Sequence, residues 1–267
     1  MSEEKKGRSF KGSKIEVIFY AVVAFAFLLL VWTLVSQSGR IGKFFPNPFE
    51  VIRQFVQAFT VPIGKNLMLE HILISLRRVG TGFLLGAAIG IPLGLIMALS
   101  RTLRAFFMPL FSIVRPIPGL AWIPLAILWF GLGESSKYFL ICMTALVGIT
   151  VQTFNGALNV DPLLMGAGQM LGASKIQLFF NVLLPSTVPY IFLGLQGSFA
   201  GAWCAVIAAE MIRSDEGVGW IIFNGMNYAN TTQVIVGMLA IGLVGLITSS
   251  LLKALERRCC RWNVQGK

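Results

Sequence analysis

161-DPLLMGAGQMLGASKIQLFFNVLLPSTVP-189 is a mostly uncharged run between hydrophobic stretches, and its punctuation reads as two short helices meeting at a sharp angle. Asp161 is placed to accept a hydrogen bond from a free backbone N–H, and Pro162 suits a first helical position, where its missing N–H would be unpaired anyway. Leu163, Leu164, Ala167, Met170 and Leu171 then recur at helical spacing and imply one apolar face. Gly172 is the residue best able to take the left-handed conformation that stops such a helix. Ser174 followed by Gln177 fits a capping box for a second helix, with Ile176, Phe179, Phe180 and Leu183 on its apolar face and Pro185 as its end. Helices with apolar faces and no reactive side chains predict a docking element, not a catalytic one.

Moving outward, the 267 residues are 56% hydrophobic, and a mean hydropathy of +0.78 leaves too little polar surface for a soluble globule. A helix crossing the hydrocarbon core needs about 20 predominantly apolar residues. Residues 18–35, 79–100, 188–209 and 234–252 meet that need, and 138–151 does so when extended to Phe154. Residues 105–130 have the length but are interrupted by Pro109, Pro116, Pro118 and Pro124, which predicts a short interfacial helix followed by a kinked span. The expected fold is therefore all-α, a polytopic helical bundle with six crossings, five being the alternative.

An even number of spans puts both termini on one side, and the 22 Lys and Arg residues then split 14 to 8 in favour of the side with the termini and the quoted loop. By the positive-inside rule the N- and C-termini and the loop are cytoplasmic. The net charge of +11 thus reports membrane orientation and not nucleic-acid binding. A cleaved signal peptide ending near 35-VSQS-38 is the alternative for the first span, which is long for that role. Expected boundaries are a basic tail over 1–14, held near membrane lipid by charge, a transmembrane domain over 15–258 containing the loop 159–187, and a cytoplasmic tail over 259–267. Residues 49–59 carry Phe49, Val51, Ile52, Phe55, Val56 and Phe59 on one stripe, as in a helix lying in the interface. Gly86, Gly90 and Gly94 repeat every four residues, as small residues do where membrane helices pack closely.

The missing chemistry is informative too. His71 is the only histidine, at the outer start of a span, where an interfacial polar role without partners is expected. Cys142 and Cys204 fall in spans and Cys259 and Cys260 on the cytoplasmic side, so no disulfide or zinc framework is implied. No phosphate-binding G-x-x-x-x-G-K-[ST] run occurs, so no bound cofactor is expected in this chain. Ionisable residues beside spans are candidates for function because charge is costly in lipid. Glu210 fits either a local helix pair with Arg213 or the outer mouth of a pathway, and Arg77 and Arg78 fit either interfacial anchors or an anion-attracting rim. Arg115, Pro118 and Trp122 lie in a Pro-broken segment that borders a pathway or kinks a packing helix, since broken backbone at membrane depth lines a cavity or is packed in protein.

The order Gly166-Ala167-Gly168, Gly172, Val182-Leu183-Leu184-Pro185 resembles the signature loop of ABC importer permeases, E-A-A, three residues, G, nine residues, I-x-L-P. Gly166 stands where the pattern has Glu, and Gly168 where it has Ala. Arg115-Pro116-Ile117-Pro118, Phe130-Gly131-Leu132-Gly133, Ala208-Ala209-Glu210-Met211-Ile212 with Gly217-Val218-Gly219, and Leu255-Glu256-Arg257-Arg258 with Arg261-Trp262 are similar to the branch importing sulfonates, taurine and nitrate. The resemblance implies the type I, MetI-like permease fold in a bacterial inner membrane. It also implies a second copy of the chain, a dimer of separate ATPase subunits holding ATP and Mg, and an extracytoplasmic solute-binding protein. It assigns Leu164, Gly166, Ala167, Gly168, Leu171, Gly172, Leu184 and Pro185 to ATPase coupling. Thiamine precursors and similar solutes belong to neighbouring branches, and a stand-alone secondary transporter or channel is the competing class.

Overall fold

The computed structural model describes residues 14–38 and 45–261, so most of the basic tail over 1–14, and residues 262–267 with Trp262, lie outside the described residues. Eleven α-helices follow in order among the described residues: α1 (Lys14–Ser36), α2 (Pro48–Gln57), α3 (Met68–Leu99), α4 (Arg101–Val114), α5 (Ile123–Phe130), α6 (Glu134–Leu158), α7 (Pro162–Met170), α8 (Lys175–Leu178), α9 (Leu184–Arg213), α10 (Val218–Asn227) and α11 (Thr231–Cys259). Among the described residues five stretches are long and apolar enough to cross a membrane, and α4 with the segment Gly119–Phe130, a pair bent by 92°, makes a sixth if the two together form one broken span. The prolines set that break: Pro116 and Pro118 supply no N–H to a continuous helix, and the chain restarts as a 3₁₀ turn, Gly119–Trp122, before α5.

The helices outrun their apolar windows. α3 begins at Met68 and not near Val79, and α6 begins at Glu134. The added turns carry polar residues that hydropathy excludes but that are buried against one another in the fold.

α3, α6 and α9 form the centre. Val79, Phe83 and Ala87 of α3, Ile141, Ala145 and Ile149 of α6, and Ala202, Trp203 and Val206 of α9 share one buried cluster with Val244 of α11. Lipid is as apolar as these side chains, so close packing must hold the helices together. Glycine supplies it on α3: an added Cβ would come to 2.6 Å from Ile141 Cβ at Gly82, 2.9 Å from Ala145 Cβ at Gly86, and 2.7 Å from Thr150 O at Gly94. The four-residue glycine repeat is thus the α3–α6 seam, and Gly82 extends it by one turn. α1, by contrast, leaves nearly all of its apolar side chains exposed, and its indole at Trp32 bonds Pro46 O at 3.1 Å.

The interfacial stripe on α2 divides in two. Val51 is buried and Phe55 packs in a cluster with Met68, Val218 and Val236, whereas Phe49, Ile52 and Val56 are exposed. Asn47 caps this helix by accepting from Phe49 N–H at 3.0 Å.

Gly86→Val will separate α3 from α6 and lower stability in detergent by about 1–3 kcal/mol, an overpacking cost. Gly80→Ala is the control, because its Cβ would meet nothing within 4 Å. Thermal unfolding of the two purified variants checks the contrast.

Candidate functional site

The residues singled out in the sequence fall into three places along the bundle. The first is the helix pair α7–α8. Asp161 Oδ1 accepts from Leu163 N–H at 2.8 Å, and Pro162 opens the helix. At the other end Gly172 has φ +79°, Gly172 N–H donates to Gln169 O at 2.9 Å, and Ala173 N–H donates to Gly168 O at 3.0 Å. That pair of bonds is a Schellman motif, which needs a left-handed residue at Gly172. Ser174 and Gln177 close the capping box reciprocally, at 2.7 and 3.3 Å.

The pair is apolar on its outer side. Met170 is 92% exposed and Leu171 88%, with Leu163, Leu164, Ile176 and Phe180 exposed beside them. Inside, a Cβ on Gly168 would lie 2.6 Å from Leu178 Cδ2, so this glycine lets α7 close on α8. Gly166 meets no such limit; a side chain there would enter open space. Pro185 does not end the second helix, contrary to the sequence expectation. The chain passes through a π turn, Phe179–Leu183, in which Leu184 N–H reaches Phe179 O, and continues into α9 with Pro185 in its first turn. The widened turn absorbs the carbonyl that a proline ring would otherwise strike. α8 and α9 therefore form one hydrophobic stretch, Lys175–Ile212.

The second place is the far end of the bundle. Arg78, on α3, is 1% exposed, and all five of its N–H groups have acceptors. Nε and Nη2 grip both oxygens of Glu134 at 2.8 and 2.6 Å. Nη1 donates to Glu210 Oε1 at 2.9 Å and to Glu216 O at 3.0 Å, and Nη2 reaches Glu216 Oε1 at 3.3 Å. Glu210 is fully buried and also accepts from Ser75 Oγ at 2.8 Å and from Gly219 N–H at 2.9 Å, at the start of α10. Lys137 Nζ adds a bond to Glu134 Oε1 at 2.8 Å.

Arg78 is neither an interfacial anchor nor a free cation, because the loop between α9 and α10 folds over it. Glu210 takes Arg78 as its partner and stands apart from Arg115. His71 is buried with two partners: Gly217 N–H donates to Nδ1 and Nε2–H to Ile63 O, both at 3.0 Å, and Trp220 stacks on the ring. Those bonds fix the neutral tautomer. Gly217 is required by its φ of +110° and by Glu210, whose carboxylate would lie 2.4 to 2.5 Å from an added Cβ. Arg77 is exposed on α3, and the side chain of Arg213 lies outside the described residues. His71, Ser75, Arg78 and Gly82 share one helical face, a spacing that could have joined them in advance.

The third place is a cavity of about 340 Å³ at mid-depth, lined by Arg115, Pro118, Trp122, Thr144, Gln152 and Ser198 among others, with α6 and α9 as its walls. Its last residue on α9 is Gly201; Glu210 lies nine residues further on, about 14 Å along the axis. Thr144, Gln152 and Ser198 carried no motif in the sequence. Among the described residues no group of His, Cys, Asp and Glu is placed to hold a metal ion.

Residues 90–259 match the family described as binding-protein-dependent transport system inner membrane component. A putative ABC transporter permease of Methanocaldococcus jannaschii is 34% identical over 268 residues, all of both chains. The nitrate import permease of Synechocystis is 35% identical, covering 88% of this chain and 86% of its own length. The taurine transport permease of Escherichia coli is 31% identical over 89% and 87%. Among solved structures, a chain of the inward-facing MetNI methionine ABC transporter superposes with a TM-score of 0.63 at 18% identity, over 72% of this chain and 95% of that one. The chain belongs to this inner-membrane permease family of ABC transport systems and has its MetI-like fold.

Arg78→Met will strand two buried or half-buried carboxylates and cost about 3–5 kcal/mol, the usual penalty for removing one partner of a buried ion pair. Glu210→Gln keeps acceptors for Ser75 and Gly219 and will cost less than half as much. Thermal unfolding of both variants in one detergent gives the comparison.

Proposed function

We propose that the chain is the pore subunit of an ATP-driven importer for a small anion such as nitrate, taurine or another sulfonate. α7 and α8 face the cytoplasm and dock in surface grooves of a separate ATPase. The carrying observation is the outer face of that pair. Two capped helices hold Leu163, Met170, Leu171 and Ile176 in solvent-exposed positions at the end of an inner-membrane permease. A patch of exposed apolar side chains marks an interaction site, and a helix laid in a groove buries it. Lys175 and the basic residues closing α11, Lys253, Arg257 and Arg258, support a cytoplasmic placement by the positive-inside rule.

Nucleotide hydrolysis, with its ATP and Mg, would fall to the partner ATPase, in line with the lack of a G-x-x-x-x-G-K-[ST] run in this sequence. A single helix pair per chain and two ATPase sites in a dimer favour two copies of this chain about a twofold axis. An extracytoplasmic binding protein would deliver the solute to the Arg78 end. The relatives named for nitrate import and taurine transport support a substrate that carries an oxyanion group, nitrate itself or a sulfonate. Closing of the ATPases on ATP would push α7–α8, and the π turn passes that displacement to α9 without a break in the helix.

Leu171→Asp will leave folding intact, since the side chain is exposed, and will abolish co-purification with the partner ATPase. Uptake into cells will fall at least about tenfold, because a hot-spot apolar anchor is worth ~2 kcal/mol or more. Ion-gradient-driven uptake by the chain alone in liposomes would contradict the proposal and favour a secondary transporter.

A further inference from the structure

The mid-depth cavity and the larger cavity at the Arg78 end differ in charge, and the difference identifies where an anion would be held. The larger one, about 890 Å³, is lined by Lys65, Arg78 and Lys137 but equally by Glu134, Asp215 and Glu216. Its most buried cation, Arg78, has no free N–H. That cavity is electrostatically balanced and gives an anion no preference.

The mid-depth cavity has one charged lining residue, Arg115, and no carboxylate. The Arg115 side chain makes no ion pair or hydrogen bond among the described residues. Ser198 is 8% exposed and its hydroxyl, like the Gln152 amide, is likewise without a hydrogen-bond partner among them. Arg115 is exposed and Gln152 half-buried, so both polar groups are open to a ligand in the cavity. Glycine lets polar side chains close on the facing backbone. A Cβ at Gly148 would lie 2.3 Å from Ser198 Oγ and one at Gly119 2.3 Å from Thr144 Oγ1, whereas one at Gly197 would meet nothing within 4 Å and would project into open space. The broken segment that brings Arg115 and Gly119 here is the kind of backbone tolerated at membrane depth where it borders a cavity.

We infer that this cavity is an anion-holding station inside the permease, in which the Arg115 guanidinium supplies the charge and the Ser198 hydroxyl and Gln152 amide donate hydrogen bonds to a small oxyanion. It deepens the proposed function and rests on it only in calling the cavity part of a transport path. Selection by charge would then occur a second time, within the membrane, after any selection by a binding protein.

The test labels cysteines in the full chain in lipid vesicles, with Cys142, Cys204, Cys259 and Cys260 replaced by alanine. Gly197→Cys and, separately, Ile117→Cys place a thiol on two walls of the cavity. Each is reacted with an anionic sulfonatoethyl and a cationic trimethylammonium-ethyl methanethiosulfonate, and rates are normalised to those of free mercaptoethanol. The normalised anion-to-cation ratio will exceed unity and fall about tenfold on adding Arg115→Gln, as expected for removal of one nearby charge at intermediate dielectric. Millimolar nitrate or methanesulfonate will slow labelling in the Arg115 form, while tetramethylammonium will not. A ratio unchanged by Arg115→Gln at both positions, or equal protection by the cation, overturns the inference. Labelling needs neither ATP nor ATPase, so its failure would leave the importer function standing, and loss of that function would leave the labelling result readable.

Discussion

The Arg78 guanidinium is a charge held where water is scarce, and the bundle is arranged to satisfy it. A buried arginine needs acceptors for five N–H groups in fixed directions, and here they come from α6, α9 and the loop leading into α10. Meeting that need ties one end of four helices together. It also explains why α3 and α6 extend past their apolar windows, since the extra turns carry Arg78 to Glu134 and Ser75 to Glu210. Glu210 serves twice, as counter-ion and as an anionic cap for the N-terminus of α10, where free N–H groups favour negative charge.

With one end locked, the opposite end carries the opposite character. Its polar groups are few and locally capped, while its apolar side chains lack cover. Between the ends, α3 and α6 are sealed by glycines, but the segment from Arg115 to Trp122 breaks away and leaves space against α6 and α9. α9 spans all three regions, from the π turn beside the helix pair, past the cavity, to Glu210. Force applied at α7–α8 would therefore reach the cavity through one continuous helix, with the Arg78 cluster as a fixed anchor.

Much of this was legible in the sequence because it depends on local rules. Asp161, Gly172, Ser174 and Gln177 are capping residues whose side chains and backbone act on near neighbours, so spacing alone located the helix pair. The glycine repeat on α3 was equally readable, being a one-dimensional stripe. The partner of Glu210 was not: Arg78 lies 132 positions away, and nothing in a single sequence couples them. The partners of His71, Ile63 and Gly217, are hidden for the same reason, being set by how loops fold back. The continuation through Pro185 was also missed, because proline normally marks a helix end and only the π turn converts it into a helix start. The cavity polar groups Thr144, Gln152 and Ser198 form no motif; they converge only when α6 and α9 pack.

In the proposed function, nucleotide drives movement of the helix pair. Spin labels at Met170 in two copies of the chain, assembled with the ATPase, give the distance between the pairs by pulsed dipolar spectroscopy. Binding of ATP and Mg to a hydrolysis-deficient ATPase is predicted to shift that distance to a distinct, shorter population. An identical distribution with and without nucleotide would contradict the account.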